Sequence, residues 1–158
     1  MPETYAPPEQ RQPFENFRPY RSNRLISMSD ADAEAHIVKD ILHDRSQPWS
    51  WTRQRPTVRL PGGSNQNLVY LIDFTLPEVT FKDTGTVTLS FYVNDYLLDR
   101  VRYTTSGNKH FEKPVPAEWA PDYTEATAAA EIDKLWFGKN DNLGLGFILT
   151  SIGLKQAD

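Results

Sequence analysis

The chain has 158 residues, of which 24% are charged and 39% hydrophobic; its formal net charge is −4 and it contains no cysteine. That length suits one ordinary domain with its own core. The acidic balance argues against nucleic acid as the main partner, and the missing cysteines exclude disulfides, zinc–thiolate sites and thiol catalysis.

Residues 1–28 read as an extended arm. Pro2, Pro7, Pro8, Pro13 and Pro19 block both a helix and a sheet ladder. Among them lie Tyr5, Phe14, Phe17 and Tyr20, interleaved with Arg11, Arg18, Arg21 and Arg24. Residues 1–9 are polar and lack the apolar centre of a signal peptide. The longest apolar runs, 68–72 and 147–149, are too short to span a bilayer. With Met1 as the native start, these features predict a cytoplasmic protein that meets a membrane only through partners.

Residues 29–158 read as an all-β domain. The segment 29–35 begins with Ser29 and carries early acid, which predicts a short helical turn. Ile and Val in 36–42 predict a first strand. Trp49 and Trp51 share a face if the chain is extended there. A short strand follows at 57–60, then a loop at 61–65.

Segment 67–76 alternates, with Leu68, Tyr70, Ile72, Phe74 and Leu76 on one side. Segment 86–93 does the same, with Val87, Leu89, Phe91 and Val93 inward and Thr88, Ser90 and Tyr92 outward. Asn94-Asp95 is a hairpin turn into 97–103. After a turn at 106–108, the strand 109–115 ends in proline and belongs at an edge. Segment 116–122 is a loop that buries Trp119.

Alanines at 126 and 128–130 favour helix by propensity, yet the all-β surroundings make 124–136 a strand. A turn at 138–142 leads to a long buried strand at 143–154. Strands at this spacing in one domain mean a sandwich or a barrel, read here as an antiparallel, jelly-roll-like β-sandwich.

The chemistry-bearing residues form no recognisable catalytic set. His36, His43 and His110 lack an H-E-x-x-H context or converging ligands. Gly62-Gly63-Ser64 does not match a nucleophile elbow. Glu131 and Asp133 share one strand face about 6.6 Å apart, loosely the spacing of a glycosidase pair, but Lys134 and Lys139 beside them describe a solvated, charge-balanced face. Asn140-Asp141-Asn142 reads as a turn rather than a calcium loop. The sequence therefore predicts no enzyme, no metal and no cofactor.

From about residue 37 to 154 the pattern resembles a bacterial jelly-roll β-sandwich of the carbohydrate-binding-module-like, galactose-binding-like kind. The residues that carry the likeness are Trp49-Ser50-Trp51-Thr52, Thr57-Val58-Arg59-Leu60-Pro61, and Thr86-Val87-Thr88-Leu89 leading to Val93-Asn94. Further along they are Pro114-Val115-Pro116-Ala117-Glu118-Trp119, Glu131-Ile132-Asp133-Lys134 before Trp136, Leu145-Gly146-Phe147-Ile148-Leu149, and Ile152-Gly153-Leu154. The resemblance implies a domain that binds rather than catalyses.

Two functional expectations follow. The first is a non-catalytic subunit that docks onto the protein subunits of a larger, membrane-associated complex. Its partner-binding residues would be the arm's Phe14, Phe17, Arg18, Tyr20, Arg21 and Arg24, residue types enriched at interface hot spots. The alternative is a carbohydrate-binding module whose ligand face includes Trp51, Tyr92, Tyr96 and Trp136.

Overall fold

The computed structural model describes residues 24–44, 46–62, 67–137 and 144–156. Among them are nine strands: β1 (Leu25–Ser27), β2 (Ile37–Leu42), β3 (Ser50–Leu60), β4 (Leu68–Leu76), β5 (Val87–Val93), β6 (Tyr96–Tyr103), β7 (Gly107–Pro114), β8 (Ala126–Ile132) and β9 (Ile148–Gln156). Two short helices, α1 (Ala33–His36) and α2 (Glu78–Thr84), interrupt them. Every pairing between named strands is antiparallel, in the order β6-β5-β8-β3-β9-β4-β7, with β1 added on β9 and β2 on β3.

The sheet folds over on itself into two layers. Phe91 of β5 stacks on Phe111 of β7 at 4.1 Å, and Tyr70 and Phe74 of β4 lie 5.7 and 6.4 Å from Phe91. These contacts set β4 and β7 against β5 and β8. The alternation of β5 is the expected one: Val87, Leu89, Phe91 and Val93 are buried. Each such side chain contributes about 1.5–3 kcal/mol by leaving water.

The alanines of β8 are strand residues because of what faces them. Tyr70 reaches across the core and donates its hydroxyl to the Ala129 carbonyl at 2.9 Å. Side chains larger than methyl on the inward positions Ala128 and Ala130, both 0% exposed, would collide with this aromatic layer. Tertiary fit thus overrides helix propensity here.

β3 is longer than expected and belongs to both layers. Its first residues, Ser50 and Trp51, pair with β9, and Thr57–Leu60 pairs with β8. Pro56 lies at the change-over and has no N–H to give. The N–H of Arg55 bonds the Asp40 carboxylate of β2 at 2.9 Å instead of a ladder carbonyl. Asp40 itself sits at a bulge in β2, with φ 62°.

Other boundaries also move. β8 ends at Ile132 and β9 begins at Ile148, so both are shorter than read from sequence. The helical turn comes at α1, later than residue 29, and Ser29 does not cap it; Asp32 occupies the N-cap position without a side-chain hydrogen bond. α2 carries no periodicity long enough to announce it. Asn94 and Asp95 both have positive φ, 49° and 67°, as a tight hairpin requires. Trp119 is half-buried and stacks on Tyr96 rather than entering the core.

Residues 1–23, most of the expected arm, lie outside the described residues. The last part of that segment is in the sheet: Leu25, Ile26 and Ser27 pair with Gly153, Ile152 and Ser151. Gly153 makes this possible, since a Cβ there would lie 2.1 Å from the Arg24 carbonyl oxygen. No helix among the described residues is long and apolar enough to cross a membrane.

Candidate functional site

The outward positions of β5 are Thr88, Ser90 and Tyr92. Register fixes their neighbours, because residues paired across strands project from the same face. Ser90 pairs with Glu131 on β8 and with Arg100 on β6. A row of carboxylate, hydroxyl and guanidinium therefore crosses three strands. Tyr92 pairs with Ala129, whose methyl leaves room beside the ring. Arg55 crosses from β3 over this gap and places its guanidinium 4.2 Å from the Tyr92 ring centre.

Arg55 is held on both arms, to Asp95 at 3.0 Å and to Glu131 at 3.4 Å. The hairpin turn, β8 and the ring are thereby tied to the bend of β3. A shallow cleft of about 390 Å³ runs along β5, lined by Thr88, Ser90, Tyr92, Arg100, Glu131 and Asp133.

The cleft's polar groups are only partly used. Asp133 accepts the Thr88 N–H with Oδ1 at 2.9 Å, leaving Oδ2 unbonded. Glu131 accepts from Arg55 with Oε1, leaving Oε2. Arg100 donates Nε–H to the Ser90 hydroxyl at 3.1 Å and keeps its two terminal nitrogens. The Ser90 hydroxyl is thus engaged by a guanidinium, which cannot take its proton.

A larger cleft of about 730 Å³ lies beside α2, against Glu78, Val79, Phe81, Lys82, Thr105 and Ser106. Its lining includes the apolar Val79 and Phe81, whereas every residue lining the β5 cleft carries a polar group, which makes the β5 cleft the candidate. The outer face of the second layer carries a third cluster. His110 meets Asp73 with Nδ1 and Glu112 with Nε2, and Ser151 donates to Asp73 at 3.1 Å. The carboxylate stands between hydroxyl and imidazole, which is the wrong order for activating a serine. Hydrogen bonds donated to the carboxylates of Asp73 and then Glu112 raise the pKa of His110, and that of Glu112 is correspondingly lowered. Among the described residues no group of three or more His, Asp or Glu is arranged to hold a metal ion.

The four aromatic residues expected to share a ligand face are dispersed. Tyr92 lines the cleft. Tyr96 pairs with Val93, whose side chain points inward, and stacks on Trp119 at 5.1 Å at the sheet's end. Trp51 pairs with Leu42 and Ile148, which places it on the outside of the other layer. Trp136 donates its indole N–H to Asp83 at 2.6 Å, closing the chain against the end of α2.

Of the expected partner-binding residues, Phe14, Phe17, Arg18, Tyr20 and Arg21 lie outside the described residues. Arg24 is only 6% exposed; burial lowers its pKa against the attraction of Asp122. Sequence reasoning missed Arg55 and Arg100, and it took Glu131 and Asp133 for an ordinary solvated face. The outward phase of β5 was the available signal; the neighbours come from register and could not be read locally.

The fold is that of a jelly-roll-like antiparallel sandwich, and solved structures of carbohydrate-binding modules resemble it. A family 35 carbohydrate-binding module from Clostridium thermocellum is 9% identical, with a TM-score of 0.40, covering 68% of this chain and 78% of its own. Another from an environmental isolate is 10% identical, TM-score 0.45, covering 84% and 96%. A family 115 4-O-methyl-α-glucuronidase with specificity for decorated arabinogalactans is 10% identical, TM-score 0.46; the match covers 78% of this chain but only 17% of that enzyme. No protein-family model matches the chain, and no curated protein does. At such identities the likeness concerns the fold. The first functional expectation, a docking subunit of a larger membrane-associated complex, is not borne out: the solved neighbours include carbohydrate-binding modules.

Proposed function

We propose that the chain is a carbohydrate-binding module whose ligand lies in the cleft on the outer face of β5, β6 and β8. One observation carries the reading: the Tyr92 ring walls a cleft in which both donors and acceptors are left over. A pyranose has an apolar face of C–H groups and a rim of hydroxyls, each both donor and acceptor. An aromatic wall takes the first and a mixed polar lining takes the second. Binding rather than catalysis fits the lining: Glu131 is engaged by Arg55, Asp133 by the Thr88 N–H, and Ser90 faces a guanidinium.

Affinity electrophoresis through gels containing arabinogalactan, xylan or a β-glucan tests this. The full chain should be retarded by at least one of them. Tyr92→Ala should weaken that retardation about tenfold, roughly 1.4 kcal/mol of lost stacking, while its circular dichroism shows the chain still folded. Free migration of the wild-type chain through all three, or full retardation of a folded Tyr92→Ala, would sink the reading.

A further inference from the structure

We infer that the ligand of the β5 cleft is a segment of a sugar chain lying along the strand, not a single ring. The inference rests on the glycan-binding reading and names the ligand class of that site. It comes from where the lining distributes its contacts along β5.

Three groups succeed one another on the outward face, each fixed by its own partner. At one end the Thr88 N–H donates to the Asp133 carboxylate at 2.9 Å. In the middle Ser90 accepts the Arg100 Nε–H at 3.1 Å and pairs in register with Glu131. At the other end the Arg55 guanidinium lies 4.2 Å from the centre of the Tyr92 ring. An antiparallel strand rises about 3.4 Å per residue, which sets Thr88 and Tyr92 about 14 Å apart at the backbone. All three groups belong to the one cleft of about 390 Å³.

That span is longer than a pyranose ring. A ring against Tyr92 leaves Asp133 Oδ2 unused at the far end, and a ring hydrogen-bonded to Asp133 leaves Tyr92 uncovered. The volume agrees, because clefts of about 300–1,000 Å³ enclose drug-sized molecules, and a lone sugar ring is smaller than these. A chain running parallel to β5 meets the groups with successive rings: hydrogen bonds at Asp133, then at Arg100 and Glu131, and stacking at Tyr92. Each added ring makes new contacts without a second full loss of translational and rotational freedom. Affinity should therefore climb with chain length until the cleft is filled.

The test is an NMR titration of the ¹⁵N-labelled full chain with matched mono-, di-, tri- and tetrasaccharides from the xylose, glucose and galactose chain series. In at least one series the trisaccharide should shift the amides of Thr88, Ser90 and Tyr92 together. It should also bind at least about tenfold tighter than its monosaccharide, more than the larger number of rings supplies by statistics. Asp133→Asn alters the end away from Tyr92 while keeping the acceptor for the Thr88 N–H. It should lower that tenfold ratio at least about threefold, with circular dichroism showing the chain folded. Arg100→Gln, which alters the middle group, should act in the same direction.

A trisaccharide that shifts these amides with a ratio below about tenfold overturns this inference alone. So does a ratio that both folded variants leave unchanged, since the added rings would then lie elsewhere. If no sugar in any series shifts those amides, the cleft is not the glycan site and the underlying reading falls with it.

Discussion

Thr52 shows how much one hydroxyl can hold. It is fully buried, donates to the Phe147 carbonyl at 2.9 Å and accepts the Phe147 N–H at 3.1 Å. The carbonyl has a second donor in the Thr52 N–H; the Phe147 N–H has no such reserve. Thr52→Val keeps the shape and strands that N–H, so a loss of about 1–3 kcal/mol in urea unfolding is expected. Tyr70→Phe should cost less, about 0.5–1.5 kcal/mol, since only its bond to Ala129 disappears. His110 gives a pH-dependent case. Its native pKa is raised, so its contribution is fully present below about pH 6.5 and is lost as pH rises through the native value. Glu112 acts oppositely, contributing above its unfolded pKa and failing as pH falls through its lowered native one. His110→Gln should therefore lose stability relative to wild type at pH 6, with the gap narrowing toward pH 9 when urea midpoints are compared. A pH-independent gap would contradict the assignment.

At the scale of elements, β1 depends on a side chain that is missing. Its backbone approaches β9 so closely that the Leu154 N–H meets the Arg24 carbonyl at 2.6 Å over Gly153. Gly153→Val should detach β1 and cost about 1–3 kcal/mol, with faster amide exchange at Leu25–Ser27 while β5 stays protected. The same comparison shows why some elements were legible and others not. The period of two in β5 is local and needs no partner to be read. β1 is three residues long and exists because Gly153 permits contact with a strand more than a hundred positions away. α2 has seven residues and no side-chain cap at Pro77, although Pro77 before it and Gly85 after it, at φ 73°, were punctuation that could have flagged it. β8 was readable as a strand only from its all-β context, because alanine's own preference points to helix.

Across the whole molecule, the sandwich was legible and the site was not. Alternation and turn spacing name a two-layered antiparallel fold without saying which strands adjoin. The cleft exists only through adjacency: Arg55 and Glu131 stand 76 positions apart, and Ser90 joins Glu131 to Arg100 by register alone. Exposed aromatic residues could be nominated from sequence, yet only Tyr92 of the four lies in the cleft, because strand phase and strand end send the others to different surfaces.

β3 crosses between the layers at Arg55-Pro56, and Arg55 is also the residue that braces Tyr92. Melting either layer should disturb the other, because the same strand supplies a ladder to each. Heating should therefore show one transition, with near-ultraviolet and far-ultraviolet circular dichroism superimposing. Occupancy of the cleft should also be felt globally: a sugar at a hundred times its Kd should raise the stability of the entire domain by about 2.7 kcal/mol. The unfolding temperature of the intact chain thus becomes a gauge of what sits against Tyr92, and a plate of sugars can be ranked by heat alone.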